Sequence, residues 1–213
     1  MLLLSLDIEA NLKSGTQEHI QEICGICDIQ IYELVAVLYD TETRKVLERF
    51  YYWFFPGDTG VLGNWEALTF NRELLRTLSD RDKAGELKHY RRTSSGELVK
   101  SFMQDLKKFL SQGSVKELPI LIGKNLHAYD IPILIARGWK EDQVSHRSID
   151  TGTLAMCMME QATIPTSEEI HSWLVSNTLV ESDKGKLHYA MYDAEVNIAV
   201  WRAYETFILG ESR

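Results

Sequence analysis

Three short blocks of this sequence contain Asp7, Glu9, Asp130, His188 and Asp193, and side chains of these types can hold divalent cations and accept a proton. The blocks read LSLDIEA at 4–10, NLHAYD at 125–130 and HYAMYD at 188–193. Each block alone has a simple structural explanation. The case for chemistry depends on all three occurring in one chain.

The first block ends an apolar run. Met1 to Ile8 is continuous in Leu and Ile, which predicts a buried strand. Residues two apart on a strand point to the same face, so Asp7 and Glu9 are expected to project together at the strand's end. Two adjacent carboxylates repel unless a cation or a proton lies between them. The alternative is a pair of solvated acids just past a strand.

The second block follows the apolar segment Leu118–Ile122, a predicted strand, and precedes a helical segment from Ile131 to Gly138. Asp130 therefore stands where a helix N-cap is expected. Capping and metal binding are compatible, because a carboxylate has several lone pairs. Asn125 and Tyr129 add polar groups to the same connection.

The third block opens a helical pattern from Ala190 to Leu209, closed by Gly210. Asp193 lies in the first turn, where the helix dipole favours an acid in any case. His188 lies just before the helix, and a lone histidine is usually an ordinary surface or core residue.

Together, and in this order, the blocks resemble the motifs of the DnaQ-like 3′→5′ exonucleases of the DEDDh type, whose fold is RNase H-like. The family pattern is Asp-x-Glu, a central Asp within Asn-x-x-x-Tyr/Phe-Asp, and His-x-Ala-x-x-Asp. The resemblance spans Leu2 to about Trp201. The chain departs from it in the Ala-Asn-Leu that follows Glu9 and in the polar stretch from Asn11 to Glu22, both of which border the expected substrate groove.

The resemblance implies two divalent cations, Mg²⁺ or Mn²⁺, roughly 3.5–4 Å apart. Asp7 would bridge them, Glu9 and Asp193 would bind the cation on the nucleophile side, and Asp130 would bind the other through water. His188 would be the general base. The residues expected to contact substrate are Ile8, Ala10, Leu12, Asn125 and Tyr129.

The activity implied is hydrolysis of phosphodiester bonds at single-stranded nucleic-acid 3′ ends, with release of nucleoside 5′-monophosphates. DNA is somewhat favoured over RNA, although discrimination depends on whether the groove accepts a 2′-hydroxyl. Two alternatives stay open: an RNA-specific exoribonuclease, and a catalytically silent RNase H-like module that docks on a polymerase. The presence of all four acids and the histidine favours an enzyme.

Composition is compatible with this hypothesis. At 213 residues with 45% hydrophobic content, the chain can bury one core, and a single domain over 1–213 is expected. The net charge of −8 argues against broad duplex binding, which requires many phosphates to be neutralised. Neither a signal peptide nor a membrane anchor is expected. The three cysteines are interpreted as free thiols in a reducing, cytoplasmic compartment.

The remaining segments predict an α/β fold: an RNase H-like mixed sheet with three leading antiparallel strands, then alternating helices and strands, flanked by helices. Strands are predicted at Ile29–Tyr39, Lys45–Phe55 and Arg147–Asp150, and helices at Ala67–Leu78 and, after a capping-box pattern at Ser94 and Glu97, from Leu98 to Leu110.

Two further stretches have open interpretations. Tyr51–Phe55 could stack nucleobases or could be a strand that packs on both faces. Lys88–Arg92 could contact phosphate or could be a solvated loop.

Overall fold

A mixed β-sheet forms the centre of the molecule. The computed structural model describes residues 1–11, 30–56, 71–85, 92–112, 117–180, 189–208 and 210. The strands are β1 (Leu2–Ala10), β2 (Ile31–Asp40), β3 (Lys45–Trp53), β4 (Ile120–Gly123) and β5 (Ser148–Asp150). Their order is β3-β2-β1-β4-β5. β1, β2 and β3 are antiparallel, whereas β4 is parallel to β1 and β5 to β4. The predicted α/β fold class is therefore confirmed.

Helices cover both faces of this sheet. They are α1 (Arg72–Ala84), α2 (Ser95–Gln112), α3 (Asp130–Ala136), α4 (Thr151–Met158), α5 (Ser167–Ser176) and α6 (Ala190–Phe207), with a 3₁₀ turn at Glu141–Gln143. α2 and α3 pack on one face, and α6 packs on the other. α4 and α5 pack against α6, and α1 packs against the ends of β2 and β3.

The continuous apolar sequence of β1 follows from its central position. Leu4, Leu6 and Ile8 lie in the core beneath α2 and α3. Leu3 faces the opposite side and packs against α6. Because both faces of β1 are covered by helices, neither set of side chains can be polar without a specific partner.

Several element boundaries differ from the sequence prediction. β1 continues past Ile8 to Ala10, which pairs with Ile31 after a register shift, so Asp7 and Glu9 lie within the strand. α1 is described from Arg72 and ends at Ala84, six residues beyond the predicted Leu78, whereas the predicted start at Ala67 lies outside the described residues. The residues after Leu78 include no large apolar side chain and so carry no apolar periodicity, and the helix stops where Gly85 adopts a φ of 66°.

The capping box predicted for α2 is only half formed. The Glu97 N–H donates to the Ser94 hydroxyl at 3.2 Å, but the Glu97 carboxylate accepts from the Thr93 N–H, one residue earlier than the box requires. A complete box occurs instead at α5, between Thr166 and Glu169. Sequence analysis did not single out that pair.

Most of the aromatic side chains in Tyr51–Phe55 pack in the core. Tyr52, Trp53 and Phe55 are buried, which agrees with a strand that packs on both faces. Within the basic stretch Lys88–Arg92, the structure describes Arg92 alone. The Arg92 guanidinium lies 4.8 Å from the Tyr52 ring centroid, and its Nε donates to the Ser101 hydroxyl.

Some predictions fall outside what the structure describes. Cys157 is a free, exposed thiol, whereas the other two cysteines lie outside the described residues. None of the described helices is long and apolar enough to cross a membrane.

Candidate metal centre

Asp7, Glu9 and Asp193 converge at the junction of β1 and α6. One oxygen from each carboxylate lies within 4.8 Å of the other two. Asp7 and Glu9 share a sheet face because they are two residues apart on a strand. Asp193 reaches them from the first turn of α6, which crosses that same face. Carboxylates separated by 186 residues in sequence, the difference between positions 193 and 7, are thus brought together.

Small residues let α6 approach the strand closely enough for this contact. Ala190 and Ala194 are fully buried against the sheet. The hydroxyl of Ser5 donates to the Ala194 carbonyl at 2.8 Å. This buried hydrogen bond joins the residue two before Asp7 to the residue after Asp193, and it fixes the two motifs relative to each other.

Asp130 lies beside this cluster but does not cap α3. It is the first residue of α3, the N-cap position belongs to Tyr129, and no side chain caps the helix. The N-cap interpretation is therefore wrong. The Asp130 Oδ1 instead accepts the Ile8 N–H at 3.2 Å, and the side chain is 4% exposed.

Burial raises the pKa of Asp7, Glu9 and Asp130, and the charges of neighbouring acids raise those of Asp7 and Glu9 further. The pKa of Asp7 is raised well above its usual value, first by burial and then by the charges of Asp193, Asp130, Glu9 and Glu33. Burial, followed by Asp193 and Glu33, likewise raises the pKa of Glu9.

The pKa of Asp130 rises to about 8 through burial, although N–H donors oppose the shift. Such a group of acids is unfavourable unless protons or cations compensate it.

The expected substrate residues have contrasting positions. Tyr129 is half-buried near the cluster. Burial, followed by the charges of Asp130, Glu9 and Asp7, raises the pKa of its hydroxyl. Asn125 is exposed, has a φ of 57°, and lines a pocket of about 220 Å³ at the ends of β4 and β5.

Ile8 and Ala10 are buried, with side chains in the core on the face opposite the carboxylates. Leu12 and His188 lie outside the described residues.

Sequence analysis missed one acid at this site, Glu33 on β2. It pairs directly with Glu9 in the antiparallel register and is 3% exposed. Its charge raises the pKa of both Asp7 and Glu9. The available signal was a single acid within an otherwise apolar predicted strand, since a glutamate is rarely buried without a partner.

The donor chemistry of the cluster suits a hard divalent cation. The three converging side chains offer carboxylate oxygens, which are the ligands that Mg²⁺ and Mn²⁺ prefer. A cation would also relieve the repulsion that raises the pKa values of Asp7 and Glu9.

Solved structures with the same architecture are nucleases. The nuclease domain of 3′hExo, a DEDDh family member bound to rAMP, aligns with 15% identity and a TM-score of 0.61 over 96% of this chain and 92% of that one. Cell-death related nuclease 4 (CRN-4) aligns with 13% identity and a TM-score of 0.59 over 97% of this chain and 64% of that one.

The zinc-bound form of the E. coli exonuclease I complex with single-stranded DNA aligns with 15% identity and a TM-score of 0.58 over 98% of this chain. This chain spans only 41% of exonuclease I. No family model and no curated protein sequence matches the chain. At these identities the likeness shows the fold alone, and this chain shares the RNase H-like α/β fold of these nucleases.

Proposed function

We propose that this protein is a metal-dependent 3′→5′ exonuclease that acts on single-stranded nucleic-acid ends. The observation that carries the proposal is the convergence of Asp7, Glu9 and Asp193 within 4.8 Å, with buried Asp130 beside them. These acids occupy the positions of the family motifs in a chain with the same fold. A structural role alone gives no reason to gather them, because their repulsion opposes folding.

Bound Mg²⁺ or Mn²⁺ would supply a deprotonated water nucleophile and stabilise the charge that develops on the leaving oxygen. Asp7, Glu9 and Asp193 would hold these cations directly. Asp130 would contribute its charge from the buried side of the site while it orients the Ile8 amide. We propose that His188 accepts the proton of the water, because an imidazole titrates near neutral pH.

Nucleic acid is the substrate that this site would accept. The structural neighbours include an exonuclease solved with single-stranded DNA and a nuclease domain solved with rAMP. In this chain the Tyr129 ring lies next to the acids, and an aromatic ring there could stack on a terminal base. We favour single-stranded DNA over RNA and nucleoside 5′-monophosphates as the products.

The test is a degradation assay with single-stranded DNA and RNA of equal sequence, each labelled at either the 5′ or the 3′ end. With Mn²⁺ or Mg²⁺, a 3′→5′ exonuclease converts 5′-labelled strands into a ladder of shortened products. It releases the 3′ label at once as a mononucleotide. Chelator should stop both reactions.

Matched variants assign any activity to this site. Asp7→Asn and Asp193→Asn keep side-chain volume but remove a proposed ligand, and each should abolish cleavage. Asp142→Asn changes an exposed acid on the 3₁₀ turn and should leave cleavage unchanged. A wild-type protein that binds single strands but never shortens them, with every cation, would point to the silent binding module instead.

A further inference from the structure

Glu33 is a buried acidic residue that lies directly opposite another acid. It occupies the interior of β2, and its register partner on β1 is Glu9. Side chains directly opposite each other in an antiparallel pair share a face, with Cβ atoms roughly 4.5–5.5 Å apart. Like charges in that arrangement are destabilising. Glu33 is nevertheless 3% exposed, so water cannot relieve the repulsion.

One oxygen of Glu33 is held in place by a short chain of hydrogen bonds. The Tyr51 hydroxyl donates to Glu33 Oε1 at 2.6 Å. The Arg81 guanidinium in turn donates to the Tyr51 hydroxyl oxygen at 3.1 Å. The chain links α1 to β3 to β2, and it keeps the carboxylate oriented on the face that carries Glu9.

The other oxygen has no such partner. Glu33 Oε2 is buried and makes no hydrogen bond. A buried carboxylate oxygen without a donor costs free energy, so an unfilled acceptor here calls for a ligand. The carboxylate also lies close enough to Asp7 and Glu9 for its charge to act on both. The free acceptor and the acidic cluster are thus on one side of the sheet.

We propose that Glu33 is a fifth carboxylate of the cation site, and that its free oxygen receives a donor from the hydration shell of the cation bound beside Glu9. The inference rests on the proposed function, because it requires that the cluster bind a cation. Glu33 is a positioning residue in this scheme: it orders the water around the cation and adds one negative charge to the site. Removal of a residue that orients metal ligands or metal-bound water typically weakens metal binding by roughly 10–100-fold.

A purely structural role makes a different prediction. If Glu33 serves only as the acceptor for the Tyr51 hydroxyl and the Ala190 N–H, then Glu33→Gln should be nearly silent, because the amide oxygen can accept the same hydrogen bonds. If Glu33 belongs to the cation site, the same substitution removes the charge and weakens cation binding.

The experiment is a calorimetric titration of Mn²⁺ into the metal-free wild type, Glu33→Gln and Glu205→Gln. Glu205 is a matched control, since it is also buried but is bound to Trp201 near the far end of α6. We expect Kd for Mn²⁺ to rise on the order of 10-fold in Glu33→Gln and to stay unchanged in Glu205→Gln. Thermal melts in chelator should show Glu33→Gln at least as stable as wild type, because a like charge has been removed opposite Glu9.

Two failures can be told apart. If wild type binds Mn²⁺ and degrades single strands while Glu33→Gln keeps the wild-type Kd, the inference about Glu33 is overturned and the proposed function stands. If wild type neither binds Mn²⁺ nor cleaves, the proposed function fails, and the inference falls with it.

Tyr51→Phe serves as a second variant if Glu33→Gln does not fold. It leaves the Glu33 charge in place but removes the hydroxyl that orients it. We expect a smaller rise in Kd for Mn²⁺ than in Glu33→Gln. A Kd equal to that of wild type would show that orientation of this carboxylate has no part in cation binding, and would overturn the proposed positioning role.

Discussion

Asp130 combines a structural and a chemical task in one side chain. β4 pairs with β1 only from Leu3 to Ser5, so the amides of β1 beyond that point lack a strand partner on this side. The carboxylate of Asp130 accepts the Ile8 N–H there. A negative charge is thus tied to the strand that carries Asp7 and Glu9. Because the hydrogen bond needs only an oxygen, and the proposed cation site needs the charge, the two tasks can be separated by mutation.

Replacement of Asp130 should separate them. Asp130→Asn keeps an oxygen acceptor for the Ile8 N–H, whereas Asp130→Ala leaves that buried amide unpaired at a cost of about 1–3 kcal/mol. We expect both variants to lose cleavage, but only Asp130→Ala to lose that much free energy of unfolding, measured by urea titration in chelator. Equal stability of the two variants would contradict the role assigned to the hydrogen bond.

His188 and Asp193 should differ in what they contribute. As a general base, His188 can be removed with a loss of turnover on the order of 10² to 10⁴ and little effect on metal affinity. Asp193→Asn should lose both turnover and Mn²⁺ binding. The comparison is cleavage rate against Kd for Mn²⁺ in each variant. A His188→Ala protein that no longer binds Mn²⁺ would make this histidine a ligand.

The spacing of Asp7 and Glu9 on a strand predicted that they share a face, whereas Glu33 was missed because its place at the site depends on strand pairing. Asp7 and Glu9 could be placed on one face because a strand alternates. The partner of Asp130, the Ile8 amide, depends on where β4 ends, which no local pattern specifies. Glu33 could not be assigned, since its position opposite Glu9 follows from the register between β1 and β2, which no local sequence pattern specifies.

At the scale of elements, α6 is the part that completes the site. It carries Asp193 in its first turn, and the Ser5 hydroxyl holds it to β1 through the Ala194 carbonyl. A second buried contact, from the Thr151 hydroxyl to the Asn197 side chain, ties the same helix to α4. The position of Asp193 thus depends on polar contacts as well as on apolar packing.

Loss of the Ser5 contact should therefore affect the cation site. Ser5→Ala removes one buried hydrogen bond, and we expect the free energy of unfolding to fall by about 1 kcal/mol. We also expect weaker Mn²⁺ binding, because Ala194 adjoins Asp193. Thr166→Ala is the control: it removes the N-cap of α5, also at about 1 kcal/mol, and should leave Mn²⁺ affinity unchanged. If both variants bind Mn²⁺ like wild type, the contact does not position Asp193.

Elements were predicted best where the apolar pattern was long. The strands β1 to β3 and the helix α6 appear close to the predicted positions, because burial on one or both faces leaves a clear pattern. α5 was not predicted, because it is only ten residues long and its capping box at Thr166 and Glu169 went unnoticed. The end of α1 was missed because the residues after Leu78 carry no apolar pattern.

At the scale of the whole molecule, the topology makes the site. β1 is the central strand, and β4 lies parallel beside it, so the C-terminal end of each opens on the same edge. The connection after β4 supplies Asp130, and α6 returns to the same edge with Asp193. Clustered acids result, and their mutual repulsion makes the fold of the metal-free protein sensitive to pH.

The stability of the metal-free protein should fall as pH rises. The pKa of Asp130 is about 8 in the folded state, whereas an unfolded aspartate has a pKa of about 3.9. Because Asp130 has the higher pKa in the folded state, protonation of Asp130 stabilises the folded protein. This stabilisation is fully present below the pKa of the unfolded state and is lost as pH rises through the pKa of the folded state. The raised pKa values of Asp7 and Glu9 act in the same direction. In chelator, Tm should therefore decrease from about pH 5 to about pH 8, and Asp130→Asn should reduce that decrease.

Divalent cations should reverse this trend, because they bind the ionised carboxylates and compete with protons. Binding to the folded state alone stabilises it by about 2.7 kcal/mol when free Mn²⁺ is about 100 times its Kd. The rise in Tm on addition of Mn²⁺ should thus be larger at pH 8 than at pH 5, and Asp7→Asn should show a smaller rise at both. The measurement is a set of thermal melts of wild type and Asp7→Asn, with chelator and with millimolar Mn²⁺, across this pH range. A Tm that is independent of both pH and Mn²⁺ in an active wild-type protein would mean that the four acids do not act as one coupled site.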